Sequence, residues 1–440
     1  MNPNGKTIGR NERCHCGSGK KYKRCHLDSD KRQPSHADQA TPTTAAPPQL
    51  PPAGVVDGIR PPPTPDVSLK PKLVEVACGN VLNGCPFDWD SLESEVSALR
   101  SPDATRPEDL AELIDLVRGL LDGSKEPFMF SGAGPVRGRF TCVEQRPPDS
   151  DHWFVGDVHG DLLSFRTLLA YARNHSSSNG RQAKFVFLGD FFDDGAFGHR
   201  VLFEFLGMAA RDRLSTAFVV GNHDIALTFD VASDKFVSNV SPSDFATWLN
   251  EQPSDSKWRG LARVAIDFFA EAPCALLLTN GVLVSHGGIP HTDRIELLNS
   301  AEDLIRDDFL EDFVWTRASE TSKRKIPNRS SRGCQYGFLD FQDFCARAEG
   351  VLKRPIQGLV RGHDHVPERW QFPEKYKPRW LLTLNAMSSA QRDAFGPFER
   401  RPVIARMVDD GPPEIHRIEI PPKLIRSLNS GPSDVEAGGV

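Results

Sequence analysis

The sequence lacks any hydrophobic run near the roughly 20 residues needed to cross a bilayer, and its first residues lack the apolar core of a signal peptide. It also lacks a basic excess, because 53 Lys and Arg stand against 59 Asp and Glu, giving a formal charge of −6. The chain as a whole is therefore not expected to bind nucleic acid or specific DNA. The nine cysteines are scattered and odd in number, a poor basis for a disulfide framework. We expect a soluble protein of a reducing, cytoplasmic compartment that makes no membrane contact.

The one tight cysteine cluster lies near the N-terminus, where residues 10–26 read RNERCHCGSGKKYKRCH. Such a short segment cannot build a hydrophobic core, so a bound metal would supply most of its folding energy. Its three thiolates and one imidazole form the ligand set of a closed tetrahedral zinc site: Cys14, Cys16, Cys25 and His26. These residues resemble the SEC-C motif, the zinc module in the tail of the secretion ATPase SecA. We therefore predict one structural zinc ion in a small module of residues 1–30.

The N-terminal segment is also basic, since residues 1–32 carry nine Lys and Arg against three Asp and Glu. This charge suits docking to an acidic protein surface, or to ribosomal or other RNA; a solvated tail is an equally open alternative. Residues 31–72 are rich in Pro, Ala and Thr, which predicts an extended, disordered linker. The zinc module is thus predicted to be a flexibly attached accessory.

The remaining chain divides into three predicted parts. Residues 73–150 show helical periodicity at 88–99 and 107–121, with Thr105 as the N-cap of the second helix. We expect a helical lead-in that packs on the core, followed by a strand near 140–143. Residues 151–422 form the catalytic domain, with an amphipathic helix near 261–270. Strand-like segments at 380–384, 402–408 and 414–420 are expected to complete a second sheet. Residues 423–440 are predicted to be disordered.

Polar side chains follow a series of apolar, strand-like stretches in the catalytic domain. FVGD, FLGD and FVVGN each end in glycine and an acidic or amide residue, and VSHGG and VRGHDH add histidines. Side chains at the C-terminal ends of strands point into the crevice where α/β sheets bind ligands. Oxygen and imidazole donors suit Mn²⁺, Fe or Zn²⁺, and seven are too many for one ion, which predicts a two-metal site acting on phosphate. Among the polar side chains of these motifs are Asp157, His159, Asp190, Asp193, Asn222, His223, His286, His363 and His365. The resemblance described next implies which seven of them are ligands.

The ordered set GDxHG, GDxxDxG, GNHD, SHGG and GHxH resembles the calcineurin-like metallophosphoesterase superfamily. Spacing is most similar to its phosphoprotein phosphatase branch, which also includes bacterial diadenosine-tetraphosphate hydrolases. The resemblance covers about residues 151–408 and implies an α/β sandwich of two mixed β-sheets flanked by helices. It implies that Asp190 bridges two metals. The first would also be bound by Asp157 and His159, with His365 as a candidate fourth ligand, and the second by Asn222, His286 and His363.

The same resemblance assigns roles at the reacting bond. His223 corresponds to the general acid that protonates the leaving alkoxide, and Asp193 to the carboxylate that orients it. The implied nucleophile is a metal-bridging hydroxide, without a covalent intermediate. One position departs from the family pattern, because Asp194 stands where the branch has a phosphate-binding Arg. Arg332 resembles the second phosphate-binding Arg of the family.

Two further arginines, Arg317 and Arg200, are candidates to replace the missing guanidinium, with a surface role as the alternative. The family's Tyr near the site has no counterpart at 381–389. The basic stretch between residues 317 and 332 favours a polyanionic substrate, such as a phosphorylated protein or a nucleotide.

The function predicted from the sequence is hydrolysis of phosphomonoesters, including those of phosphoproteins, by two divalent metal ions. Hydrolysis of a dinucleoside polyphosphate anhydride is the alternative within enzymes. A metal-binding scaffold that docks through the zinc tail is the alternative outside them.

Overall fold

The computed structural model describes most of the chain from residue 70 onward. The predicted zinc module, residues 31–69 of the predicted linker and all of the predicted C-terminal tail except Leu424, which is buried, lie outside the described residues. The described residues are 70–79, 81–82, 85–99, 101–122, 138–143, 149–323, 326–327, 332–387, 401–408, 413–422 and 424.

Strands and helices alternate along most of the described chain. The strands are β1 (Lys72–Val76), β2 (Val81–Leu82), β3 (Cys85–Pro86), β4 (Phe140–Cys142), β5 (Ser150–Val155), β6 (Gln182–Phe187), β7 (Thr216–Phe218), β8 (Leu227–Asp230), β9 (Lys235–Ser238), β10 (Ala275–Leu277), β11 (Val282–Ser285), β12 (Arg317–Ala318), β13 (Ile326–Pro327), β14 (Cys334–Tyr336), β15 (Gly358–Arg361), β16 (Trp370–Gln371), β17 (Trp380–Leu384), β18 (Val403–Val408) and β19 (Glu414–Ile418).

The helices are α1 (Trp89–Ala98), α2 (Pro107–Leu121), α3 (Leu162–Ser178), α4 (Gly198–Arg211), α5 (Asn222–Ala226), α6 (Asp244–Glu251), α7 (Lys257–Glu271), α8 (Thr292–Ile295), α9 (Asp307–Trp315) and α10 (Phe338–Leu352). Short 3₁₀ helices lie at Pro102–Ala104, Ala301–Ile305 and Glu374–Tyr376. Among the described residues, no helix combines the length and the apolar character needed to span a membrane.

Two six-stranded sheets form the centre of the fold. The first has the order β1-β19-β18-β5-β6-β7, and the second has the order β16-β17-β15-β11-β10-β4. Each sheet is mixed: β5, β6 and β7 are parallel while β18 runs antiparallel to β5, and β11, β15 and β17 are parallel while β10 runs antiparallel to β11. The predicted sandwich of two mixed sheets flanked by helices is confirmed.

Strand β6 is apolar at successive positions because both of its faces are buried. Phe185 and Phe187 belong to the core cluster shared with the helices, where Phe187 packs against Phe165 and Phe205. Val186 points to the opposite face and joins the cluster between the two sheets. A strand covered on both faces has no solvent-facing side, so the usual alternation of polar and apolar residues disappears. That cluster contains side chains from both sheets: Phe154, Val186 and Ala405 from the first, and Leu276, Val284, Val360 and Leu382 from the second.

Three expectations need correction. The predicted strand near 140–143 is β4, but the lead-in also contains β1, which was not predicted. Strand β1 begins at Lys72, in the predicted linker, and pairs in parallel with β19 at an edge of the first sheet. Strands β18 and β19 also belong to the first sheet, and β17 alone among the three C-terminal strands lies in the second. Periodicity identifies a strand but carries no information on its distant pairing partner. Helix α2 occupies the predicted residues, but its N-cap is Arg106 instead of Thr105, because Pro107 takes the first helical position.

The side chain of His199 makes folding stability depend on pH. Its ring stacks on Trp248 with centroids 4.5 Å apart and meets Trp258 edge-on at 5.1 Å. Burial, assisted by the charge of Arg200, lowers the pKa of His199 to about 3. The unfolded chain therefore takes up this proton below about pH 6.5, whereas the folded chain does not, and stability falls as pH falls.

We predict that His199→Gln removes this part of the pH dependence. Between pH 6 and pH 4, the free energy of unfolding of the wild type should fall relative to that of the variant by about 1.4 kcal/mol per pH unit. Urea denaturation of both proteins at several pH values measures the difference. Parallel curves would contradict the assignment.

Candidate active site

All the predicted metal ligands lie just beyond the C-terminal ends of strands from both sheets. Asp157 follows β5, Asp190 follows β6, and Asn222 follows β7 in the first sheet. His286 follows β11, and His363 follows β15, in the second sheet. The two sheets stack with these ends on the same side, so residues more than 200 positions apart come within hydrogen-bonding distance.

One group of donor atoms comes from Asp157, His159 and His365, whose ligand atoms lie within 4.8 Å of one another. The Nε2 atom of His365 is 3.5 Å from Asp157 Oδ2 and 3.1 Å from His159 Nε2. Asp157 and His159 are buried, and His365 is half-buried at the rim. A carboxylate and two imidazoles that converge in this way form a donor set suited to a divalent transition metal.

A second group adjoins the first and consists of Asp190, His286 and His363, all buried. His286 Nε2 lies 3.2 Å from His363 Nδ1 and 2.9 Å from Asn222 Oδ1. Asp190 joins the groups, because its Oδ2 atom is 3.2 Å from His286 Nε2 and 3.5 Å from His159 Nε2. The carboxylate of Asp190 thus stands between two sets of donors, as a shared ligand would.

Backbone carbonyls fix the orientation of two of the histidine rings. His159 Nδ1 donates to the carbonyl of Phe192 at 3.2 Å, and His286 Nδ1 donates to that of Leu188 at 2.7 Å. A carbonyl can only accept, so Nδ1 carries a proton in both rings and Nε2 is the atom directed to the centre. This is the usual arrangement of metal-binding imidazoles.

Most protonation states in the cluster suit metal binding, and His286 is the exception. Burial opposes charge on its ring, but Asp190 and Asp157 raise its pKa, so His286 must release a proton when it binds metal. Burial, with the nearby charges of other site groups, lowers the pKa of His159 and lowers that of His363 well below its usual value. Burial alone would raise the pKa of Asp190 and Asp157, but the histidines around them lower both. Neutral imidazoles and ionised carboxylates are the forms that coordinate cations. The residues therefore fit the predicted metals, and coordination by each of the seven stays a prediction.

Five residues of the site have backbone conformations that residues other than glycine rarely adopt. Their φ angles lie between 46° and 67°: His159, Asp190, Asp193, Asp194 and His363. Each such residue costs of order 1–3 kcal/mol and persists only where its surroundings hold it. Strain concentrated at one set of strand ends indicates a functional site.

Asp224, which sequence reasoning left without a role, supplies that restraint for Asp190. Its carboxylate accepts hydrogen bonds from the backbone N–H groups of Gly221 at 2.7 Å, Asp190 at 2.9 Å and Phe191 at 3.1 Å. Burial and the charge of Asp190 raise the pKa of Asp224 to about 7, against the effect of these hydrogen bonds. Asp224 therefore holds the turn that presents Asp190. Asp224 is the last residue of the GNHD motif, and this was the one sign in the sequence that it has a role. The sequence did not reveal the three N–H groups that it binds.

The predicted acid and its orienting carboxylate form a close pair beside this centre. His223 Nδ1 is 2.7 Å from Asp193 Oδ2, and the other oxygen of Asp193 accepts from the backbone N–H of Phe245 at 2.9 Å. The backbone N–H of His223 donates to Asp190 Oδ1 at 2.9 Å. Burial opposes charge on the ring, but Asp190 and Asp193 together raise the pKa of His223.

The predicted substrate-binding arginines differ in their surroundings. Arg332 is exposed, pairs with Glu311 at 2.6 Å and lies over the Trp315 ring. Arg317 is half-buried and bonds to the carbonyl of His363 and to Asp364. Arg200 is buried away from the surface, against expectation, and donates to the carbonyls of Leu99 and Ser101. Its position at the start of α4 directs it toward the lead-in, so a role in phosphate binding is discarded.

Asp194, the departure from the family pattern, is 5% exposed. Its backbone N–H donates to Asp244 Oδ1 at 2.9 Å, which ties it to the start of α6.

Two other buried residues support the site and were not predicted. Asn385, after β17, accepts from the backbone N–H of Val366 at 2.9 Å and lies 3.5 Å from Asp157 Oδ2. Arg361, at the end of β15, donates to Gly287 and Asp364. Arg361 makes its contacts within the second sheet's end of the site, and Asn385 joins that sheet to Asp157 of the first; no local sequence pattern encodes either contact.

A two-sheet α/β domain with carboxylates and histidines gathered at its strand ends defines a metal-dependent enzyme. The model of the calcineurin-like phosphoesterase family matches residues 152–367, and that of the SEC-C motif matches residues 10–28. Residues 152–367 therefore belong to the calcineurin-like phosphoesterases, a family of metal-dependent phosphoesterases, and the chain also carries a SEC-C motif. Both predicted resemblances are confirmed.

The chain is also similar to solved structures. A Saccharomyces cerevisiae protein serine/threonine phosphatase, itself similar to human phosphatase PP5, is 18% identical, with 72% of this chain and 91% of that chain covered and a TM-score of 0.49. A metallophosphoesterase from Sphaerobacter thermophilus is 17% identical, with 66% and 99% covered and a TM-score of 0.35. No curated protein matches the chain.

We predict that Asp224→Ala strongly destabilises the metal-free protein. Three buried N–H groups would lose their acceptor, and each such loss costs about 1–3 kcal/mol. Asp161→Ala is the control, because this buried aspartate caps α3 and accepts from the backbone N–H and the hydroxyl of Ser164, at 2.9 and 2.8 Å. Losing a cap of this kind costs about 1 kcal/mol. Urea denaturation should give the larger loss for Asp224→Ala; equal losses would argue against its holding the turn.

Proposed function

We propose that the protein is a phosphomonoesterase with two divalent metal ions, acting on esters with alkyl leaving groups such as phosphoserine and phosphothreonine. The observation that carries this proposal is the pair of His223 and Asp193, 2.7 Å apart, directly beside Asp190. An acid is needed where the leaving group is a poor one, and the pair is built to supply a proton there.

The metal ions would be held by the seven residues described above, with Asp190 shared between them. When bound, two such ions neutralise phosphate charge and lower the pKa of a water molecule that attacks phosphorus. Mn²⁺, Fe and Zn²⁺ all suit this mixture of oxygen and imidazole donors.

His223 supplies the proton for the leaving oxygen from its Nε2 atom, because Nδ1 is engaged by Asp193. The raised pKa of His223 keeps that proton available near neutral pH. Asp193 holds the ring in place and is itself held by the N–H of Phe245. An alkoxide leaving group must be protonated, whereas a phosphate leaving group can depart without a proton. The His223–Asp193 pair therefore favours an ester substrate over an anhydride.

Arg332 is the group that we propose for binding the phosphate oxygens. Its ion pair with Glu311 is exposed, and pairs of this kind contribute only up to about 1 kcal/mol, so exchange for a dianionic phosphate costs little. Its guanidinium lies over Trp315, whose ring meets that of His363 edge-on with centroids 6.3 Å apart. The Trp315 ring thus lies between Arg332 and His363, one of the predicted metal ligands.

For the N-terminal segment, we propose that Cys14, Cys16, Cys25 and His26 bind one structural zinc ion. The match of residues 10–28 to the SEC-C motif supports this assignment. We also propose that the basic segment binds a protein or ribosomal partner; the support for this is the positive charge of the segment.

The proposal predicts different effects of two substitutions on hydrolysis by the Mn²⁺-loaded protein. Asp190→Asn should abolish turnover of every phosphoester. His223→Ala should lower turnover of a phosphoserine peptide by about 10²–10⁴-fold, but should affect an aryl phosphate less, because a phenolate needs less protonation. His175→Gln, a change on α3, serves as the histidine control and should leave both rates unchanged.

Steady-state kinetics on both esters and on a dinucleoside tetraphosphate tests this proposal. Turnover of the tetraphosphate alone would replace it with an anhydride hydrolase. Metal binding without turnover of any of the three would indicate a scaffold.

A further inference from the structure

The carboxylate between two predicted metal ligands is held by two arginines. Asp364 lies between His363 and His365, and its Oδ1 accepts from Arg317 Nη1 at 2.5 Å while its Oδ2 accepts from Arg361 Nη1 at 2.5 Å. Arg361 is completely buried, and Asp364 and Arg317 are partly exposed. Burial of one partner and two charged donors on one carboxylate make this network a rigid one.

Each arginine also reaches a backbone carbonyl on a segment that carries a predicted ligand. Arg317 Nη1 donates to the carbonyl of His363 at 3.0 Å. Arg361 Nε donates to the carbonyl of Gly287, the residue after His286. The two guanidinium groups and one carboxylate therefore connect the residue after His286, the carbonyl of His363 and the residue between His363 and His365.

The turn at Gly362 and His363 needs support because its backbone conformation is strained. His363 has a φ angle of 65°, which is unfavourable for any residue other than glycine. Its N–H donates to both oxygens of Asp157, at 3.1 and 3.0 Å. The preceding Gly362 is pressed so closely against Asp157 that a Cβ atom there would come within 2.0 Å of Oδ1. Asp157 therefore holds this turn at the N–H of His363, and Asp364, through Arg317, holds it at the carbonyl of His363.

We propose that Arg317 and Arg361, acting through Asp364, are positioning residues that hold His286, His363 and His365 in the geometry that binds metal. This inference rests on the proposed metal site. It also changes the role of Arg317 from a phosphate-binding residue to one that acts through its neighbours, because its donors already serve the ligand-bearing turn. Hydrogen bonds from neighbouring residues fix the orientation of metal ligands. Losing such a bond weakens metal binding by about 10–100-fold.

The test is titration of the full chain, freed of metal, with Mn²⁺. This ion is chosen because the N-terminal thiolates do not favour it. The variants are Asp364→Asn, Arg317→Met and Arg317→Lys. Glu349→Gln is the matched control: Glu349 pairs with Arg379 at 2.7 Å with 25% and 20% side-chain exposure, against 24% and 26% for Asp364 and Arg317, and no predicted ligand is adjacent.

We expect Asp364→Asn and Arg317→Met to weaken Mn²⁺ binding by about 10–100-fold, and Glu349→Gln to leave it within two-fold. Arg317→Lys keeps the charge and one donor, so it should recover part of the affinity that Arg317→Met loses. At saturating Mn²⁺, the KM for an aryl phosphate should be unchanged in Arg317→Met.

Two outcomes would overturn the inference and leave the proposed function standing. One is Mn²⁺ affinity of Asp364→Asn equal to that of Glu349→Gln, while Asp190→Asn still abolishes binding. The other is a raised KM with unchanged Mn²⁺ affinity in Arg317→Met, which would make Arg317 a phosphate ligand. Failure of the wild type to bind Mn²⁺, Fe²⁺ or Zn²⁺ at this site would overturn both the inference and the proposed function.

Discussion

The structure depends on the placement of one carboxylate, that of Asp190, between two groups of donors. To reach this place the chain makes a sharp turn directly after β6, where Gly189 has a φ angle of 91°. The neighbouring strand end is pressed against it, since a Cβ on Gly189 would lie 2.2 Å from Gly221 N and one on Gly221 would lie 2.1 Å from Asp190 Oδ1. Only glycine permits this approach. The GD and GN motifs are therefore two halves of one close contact.

The site also lies where the two sheets meet. Asp157, from the first sheet, forms an isolated bridge with Asn385 of the second, and its carbonyl accepts from the N–H groups of Ala386 and Met387. Its side chain accepts from the N–H of His363 in the second sheet. Each sheet alone supplies an incomplete set of donors, so formation of the site requires the apolar cluster that stacks the sheets. The site is thus complete only when the two sheets are stacked.

Much of this arrangement follows from the sequence, because the motifs stand at the ends of apolar runs and strand ends on the same side of stacked sheets must converge. The positions of Asp157, Asp190 and His286 could be predicted for this reason. Features that depend on long-range pairing could not. Examples are the parallel pairing of β1 with β19, and the contacts of Arg361 with Gly287, which join residues far apart in the chain. Arg200 shows the converse, since an isolated arginine in a sequence does not reveal that it is buried against the lead-in.

The most direct test of the account is crystallography of the Mn²⁺-loaded protein with anomalous scattering at the manganese absorption edge. The account predicts two manganese peaks, about 3.5–4 Å apart, with the Asp190 carboxylate contacting both. One peak would lie beside Asp157 and His159, and the other beside His286 and His363. A single peak, or two peaks of which neither contacts Asp190, would contradict the claim that this carboxylate organises the site.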